Sequence, residues 1–227
     1  MLYLPVFNAV YPRFSRWHAA GKVCELASTY HAAARIVAWI VAPVAGVLVC
    51  FPREVLLMWT RSEEVSQHAA LPLALLAGGY LLAGLMTVPY ALQLAAGLTH
   101  IQLRVNLLSV IVVVPLIVGS VQAVGVAGAG VGWLTVNLLQ WLVIPHFLHA
   151  SVLSGERARW LARDTLPYVC TSFIAFFPFA LARAQLVDLV HPAVPVVLAL
   201  AVYACASWIL WRRHGGGGAL LRRLAGP

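Results

Sequence analysis

IQLRVNLLSVIVVVPLIVGSVQAV (residues 101–124) and GVAGAGVGWLTVNLLQWLVIPHFLHA (residues 125–150) carry a single charged side chain between them, Arg104. A helix needs about 20 apolar residues to cross the hydrocarbon core of a bilayer. Each stretch therefore reads as one span, at approximately 101–122 and 124–150. The glycines at their junction mark the turn, and Gly128 and Gly132 stand in GxxxG spacing, which lets two helix backbones approach closely.

The same reading extends in both directions. Spans are expected at approximately 30–52, 69–96, 165–187 and 191–211, making six in all. Composition agrees: the 227 residues are 62% hydrophobic and 10% charged, against roughly 25% charged in a soluble domain. Such a chain cannot cover a water-facing surface with polar groups, so the remaining apolar surface must face lipid. The opening MLYLPVFNAVYPRFSRW (1–17) is too short to span and has no basic segment before its apolar part. It is a poor signal peptide and reads as the end of a seventh helix whose beginning is missing. The segment EVLLMWTRSEEVSQH (54–68) is charged and amphipathic, with Trp59 suited to the headgroup level.

The fold class expected is thus all-α integral membrane, six transmembrane helices plus the end of a seventh. Residues 1–214 form the helical lobe, and residues 215–227 a Gly-rich basic tail. If the helices alternate, Arg13, Arg16, Lys22, Arg104, Arg157, Arg159, Arg163 and the tail arginines fall on one side. Arg53, Arg61 and Arg183, with Glu54, Glu63, Glu64 and Asp188, fall on the other. The basic side is cytoplasmic by the positive-inside rule, which puts the C-terminus inside and the chain in a bacterial inner membrane.

Several function classes find no support. The net charge of +8 flanks apolar runs and makes no aromatic-interleaved basic stripe, so no nucleic-acid partner is expected. Cys24, Cys50, Cys170 and Cys205 form no CxxC pair, and neither a disulfide framework nor a metal site is signalled. His146 and His149 share a helix face but lack a third ligand. The glycines of VGVAGAGVGW follow no strand, which removes a nucleotide-binding reading, and no cofactor is expected. No nucleophile–base–acid arrangement suggests an enzyme. All seven acids sit in loops or at span ends on these boundaries, so no carboxylate is expected inside a span.

The polar residues within or near the spans are the candidate site. Arg35 and Arg104 each lie about one turn into a span, where arginine either snorkels to the headgroups or faces a wet cavity. Guanidinium matches phosphate in a bidentate fork, so Arg35, Arg104 and Arg183 are candidates for an anionic substrate. Gln93, Asn106, Asn137 and Gln140 are candidates for hydrogen bonding to sugars, or between helices. Pro43, Pro89, Pro115, Pro145, Pro178 and Pro195 place one proline in each span, where each tends to kink its helix. Bent helices suit either simple tolerance of proline in membranes or flexing around a cavity.

The order of several stretches resembles the polysaccharide-exporter and flippase branch of the multidrug/oligosaccharidyl-lipid/polysaccharide exporter superfamily. The opening is similar to that branch's first cytoplasmic loop at Pro12, Ser15, Gly21, Glu25 and Tyr30. VLLMWT matches an outer segment at Leu57 and Trp59, and TVPYALQLAAGLTHIQLRVN a helix–helix turn at Pro89, Ala95, Gly97 and Asn106. VGVAGAGVGW matches the start of the next helix at Gly125, Gly128 and Ala129. The match covers approximately residues 5–165; the last two spans match in hydropathy only.

The resemblance implies two six-helix lobes around a central cavity, with alternating access, of which this chain resembles the C-terminal one. It implies transport of a lipid-linked oligosaccharide, such as an O-antigen or exopolysaccharide precursor, together with a missing N-terminal lobe or partner half. A drug or metabolite exporter has the same fold, but the expected lack of intramembrane acids ranks it lower. A glycan polymerase or transferase would need a large outer loop, and the longest here is 53–68. A lone lobe could also be a non-transporting scaffold.

Overall fold

The computed structural model describes residues 3–186 and 193–213. These residues are helical with no strand, and six of the helices are long and apolar enough to cross a membrane. Arg183 lies on a described helix, but its side chain, Asp188 and the 215–227 tail lie outside the described residues.

Helix α1 (Leu4–Ala19) precedes the long α2 (Val23–Cys50) and the short α3 (Pro52–Thr60). Helices α4 (Glu63–Leu85) and α5 (Thr87–Ala95) follow, then α6 (Thr99–Val124) and α7 (Ala127–Ser151). A single turn, α8 (Arg157–Arg159), runs through a π-helical turn at Trp160–Thr165 into α9 (Leu166–Leu186). Helix α10 (Ala193–Arg213) ends the described chain.

Local chemistry sets several of these boundaries. Pro52 opens α3, where its missing N–H is no loss. Ser62 caps α4 by accepting from the Val65 amide at 3.3 Å, with Glu63 and Glu64 in the first turn where the helix dipole favours acids. The second span is one apolar stretch, Glu63–Ala95, broken at Met86. Pro89 explains the break, since it has no N–H to offer the carbonyl four residues earlier. Gly125 ends α6 at φ +63°, a conformation that side-chain-bearing residues rarely adopt.

The helices pack in the order α6, α7, α4, α2, α9, α10, with α1 laid against α2 and α5. Helix α2 is the most buried of the long helices and α6 the least. Small residues let α2 occupy the centre: Ala33, Ala34, Ala38 and Ala42 are all buried. A Cβ on Gly46 would overlap Ser172 and Phe176 of α9. The largest core cluster joins Phe14 of α1, Tyr30 of α2, Leu92 of α5, Leu148 of α7, Trp160 and Tyr168. A second cluster, toward the other end of α2, joins Phe51, Phe176 and Tyr203.

At the edge, α6 exposes Leu103, Leu107, Ile111 and Val118. Those residues are spaced along one helix face, and an exposed apolar stripe of that length suits lipid or a partner surface rather than water. Its other face meets α7 tightly. A Cβ on Gly128 would overlap the backbone of Ser120 and Val121, and one on Gly132 would overlap the Ile117 side chain.

Candidate substrate cleft

Four amide side chains converge where α6 and α7 meet the bent second span. Gln102 and Asn106 are one turn apart on α6, and Gln102 Nε2 donates to Asn106 Oδ1 at 2.9 Å. Gln140 of α7 donates to the same oxygen at 3.1 Å. Asn137, one turn earlier on α7, turns back to donate to the Trp133 carbonyl at 2.8 Å. All four line a cleft of about 480 Å³, within the usual range for small-molecule sites.

The opposite wall comes from α1 and the helix break: Tyr3, Leu4, Phe7, Ala83, Met86, Thr87 and Tyr90. Phe7 stacks on Tyr90 at 6.2 Å between ring centroids and on Tyr11 at 5.8 Å. The bend at Met86 therefore shapes this wall, presenting residues from both sides of the break. Amides that both donate and accept, facing aromatic rings, suit a ligand rich in hydroxyls.

Asn106 also opens a second space. A groove of about 440 Å³ runs along α6 and α7 between Ser109, Val113, Ile117, Gly132, Trp133 and Val136, with Asn106 at one end. Apart from Asn106 and Ser109 it is lined by apolar groups. The glycines on α7 keep the two helices close beneath it.

A family model described as MatE matches residues 1–118, just over half of the 227-residue chain. The chain belongs to the MatE family. This membership supports a multi-pass membrane transporter of the multidrug/oligosaccharidyl-lipid/polysaccharide exporter superfamily. No curated protein matches the chain, and no solved structure does.

For this MatE chain the sequence-predicted residues divide into three groups. Asn106, Asn137 and Gln140 come together in the cleft, and Gln102, which sequence reading missed, joins them. Its signal was present, since Gln102 and Asn106 stand four apart on one apolar helix. Gln93 does not line the cleft. It is fully buried, and its Nε2 donates to the Leu98 carbonyl at 3.0 Å, bracing the turn between α5 and α6. Arg104 is exposed on α6 and lines neither space.

Arg35 belongs to a different constellation. Its Nε stands 3.8 Å from Asp164 Oδ1, and the Asp164 side chain is 1% exposed. Asp164 Oδ2 also meets Nδ1 of the buried His31, while His31 Nε2 lies 3.0 Å from Glu156 Oε2. Asp164 is buried in a π-helical turn, at the charged start of the helix that forms the fifth candidate span, Arg157–Ala182, beside Arg157, Arg159 and Arg163. Hydropathy starts that span near 165 because charges lower the local average. His31 and Arg35, 133 and 129 positions away in sequence, pair the acid where that helix begins.

Proposed function

We propose that the chain is the C-terminal part of a flippase that moves a lipid-linked oligosaccharide across the bacterial inner membrane, acting with a second lobe. The observation that carries this reading is the junction at Asn106. A polar, amide- and aromatic-lined cleft opens there onto an apolar groove between α6 and α7. An amphiphile has the same division: sugar hydroxyls hydrogen-bond to amides and stack on rings, while a hydrocarbon chain lies along Val113, Ile117 and Val136.

The bent helices around the cleft supply the flexible walls that alternating access needs. Arg104, exposed two residues from Asn106, is the remaining candidate for the diphosphate, since Arg35 is occupied by Asp164. The basic ends of the helices face the cytoplasm in this reading, with the C-terminus inside.

The test is a proteoliposome assay of the full-length transporter with a fluorescent diphosphate-linked oligosaccharide lipid. Wild type moves the lipid between leaflets, and Asn106→Leu moves it with an apparent affinity roughly tenfold weaker at unchanged protein level. Equal movement by both proteins removes the cleft from the mechanism.

Cationic-drug export is the second reading, and the burial of Asp164 is the observation that favours it, because such exporters use buried acids. Asp164 does not line the cleft, and His31 and Arg35 already cover it, so the lipid-linked substrate remains the better fit. Ethidium efflux from whole cells that depends on Asp164, without lipid movement in proteoliposomes, would reverse that order.

A further inference from the structure

His31 stands between two carboxylates. Asp164 of the π-helical turn meets its Nδ1, and Glu156, just before α8, meets its Nε2 at 3.0 Å. Neutral imidazole carries one N–H, so it can donate to only one of them and would turn a lone pair toward the other. Both contacts are hydrogen bonds only when the group holds one further proton, as imidazolium or on a carboxyl. With that proton, His31 donates to both carboxylates, beside Arg35 at Asp164 and Arg159 at Glu156. Without it, an acceptor–acceptor contact remains at a buried imidazole, which is costly.

The contacts cross from α2 to the segment that enters α9. That segment holds a π-helical turn, a widened helix that commonly marks functional sites. Thr165 stabilises it by donating to the Trp160 and Leu161 carbonyls at 3.2 and 3.0 Å.

The surrounding charged and titratable groups come from every element packed here. Tyr30 on α2 lies edge-on to His31 at 5.5 Å, and His149 of α7 lies 5.4 Å from Tyr30. Arg159 is 3.6 Å from Glu156, Arg157 is 3.0 Å from His146, and Tyr168 of α9 is within electrostatic range of Arg35 and Asp164. The Tyr30 and Tyr168 hydroxyls, His149 Nε2 and Trp160 Nε1 are buried without a hydrogen-bond partner. Each such group favours an opened state in which water reaches it.

We propose that His31, Asp164, Glu156 and Arg35 form a proton-dependent latch. With its proton, the latch holds residues 152–165 against α2. When the proton leaves, the segment swings out on the π-helical turn, and water reaches the unsatisfied groups behind it. The device is independent of which substrate the cleft takes.

Amide hydrogen exchange of the full chain in lipid nanodiscs, corrected for the intrinsic pH dependence, tests this between about pH 5 and pH 9, the range in which histidine changes charge. Peptides covering 152–166 should lose at least tenfold of their protection in one step as pH rises. His31→Gln should be unprotected throughout. Glu156→Gln should be protected throughout, because its amide can donate to a neutral Nε2 and the closed state no longer needs the proton. Protection that does not change with pH in wild type overturns the latch, as does a wild-type step surviving in either variant. Should His31→Gln fail to fold, Glu156→Gln, at a partly exposed position, decides alone.

Discussion

Gln140 of α7 donates to Asn106 of α6 across 3.1 Å and 34 positions of sequence. Asn106 accepts from Gln102 through the same oxygen, so one acceptor organises amides from two helices. Asn106 is also the residue shared by the cleft and the groove. Its replacement therefore tests both spaces at once.

Asn106→Leu removes the acceptor of two hydrogen bonds while keeping the side-chain volume similar. Each bond contributes about 1 kcal/mol, so loss of ligand contact through this group should lower apparent affinity roughly tenfold. Asn106→Asp keeps the acceptor and should retain more of the activity. Transport titrated against substrate concentration, at matched expression, distinguishes the two. Equal affinity in Asn106→Leu and wild type would separate the amide cluster from the substrate.

The α6–α7 contact is steric. A Cβ on Gly132 overlaps Ile117, so Gly132→Ala should destabilise the protein by about 1–3 kcal/mol through overpacking. Ile117→Ala removes the atoms that collide. The double variant Gly132→Ala/Ile117→Ala should then recover part of that loss. Thermal unfolding in detergent, followed by tryptophan fluorescence, gives all three values. Additive losses in the double variant would mean that the helices meet elsewhere.

What sequence could and could not reach follows from the range of the interactions. The six long helices were legible because crossing a bilayer imposes a local requirement, length and apolarity, that a window of 20 residues reports. Asn106, Asn137 and Gln140 were legible as polar groups on apolar helices, and their convergence depended only on α6 and α7 being antiparallel neighbours. The pairing of His31 with Asp164 was not. It spans 133 positions, and it pairs a carboxylate buried at the entry to α9. Local averages place a charged residue outside the span because they cannot see its partner. Gln93 shows a related limit: a buried amide looks the same in sequence whether it lines the cleft or, as here, donates to a carbonyl in the turn between α5 and α6.

Side-chain hydrogen bonds tie α9 and α10 to α2, among them Trp39 Nε1 donating to the Ser207 hydroxyl at 3.2 Å. The Tyr203 hydroxyl of α10 donates to the Trp39 carbonyl at 3.0 Å, and the Ser172 hydroxyl of α9 donates to the Ala42 carbonyl at 2.8 Å. The Ala42 carbonyl already belongs to the helix ladder, so the Ser172 bond adds to a satisfied group. Pro43 has no N–H to offer the Trp39 carbonyl, so the Tyr203 hydroxyl pairs a carbonyl that the ladder leaves open. Ser172→Ala should cost only about 0.6 kcal/mol, the average measured for such bonds in membrane helices, and Tyr203→Phe more, about 1–2 kcal/mol, because it leaves the Trp39 carbonyl unpaired. The sites lie on different helices, so the double variant should lose about the sum of the two. A loss above about 2 kcal/mol from either single change would assign that side chain a larger role than helix bonding.

The break between α4 and α5 makes the last prediction. Tyr90, one residue past Pro89, stacks on Phe7, and Met86 and Thr87 line the cleft beside it. Pro89→Ala restores an N–H at the position where the ladder is interrupted and lets the second span straighten. Straightening carries Tyr90 away from Phe7 and changes the aromatic wall without touching the amides opposite. Transport should fall severalfold, with stability held or raised because a hydrogen bond is gained and proline is lost from a helix. A transport assay paired with thermal unfolding checks both signs. If transport is retained while the unfolding temperature rises, the bend is a consequence of proline's tolerance in lipid and shapes no part of the transport cycle.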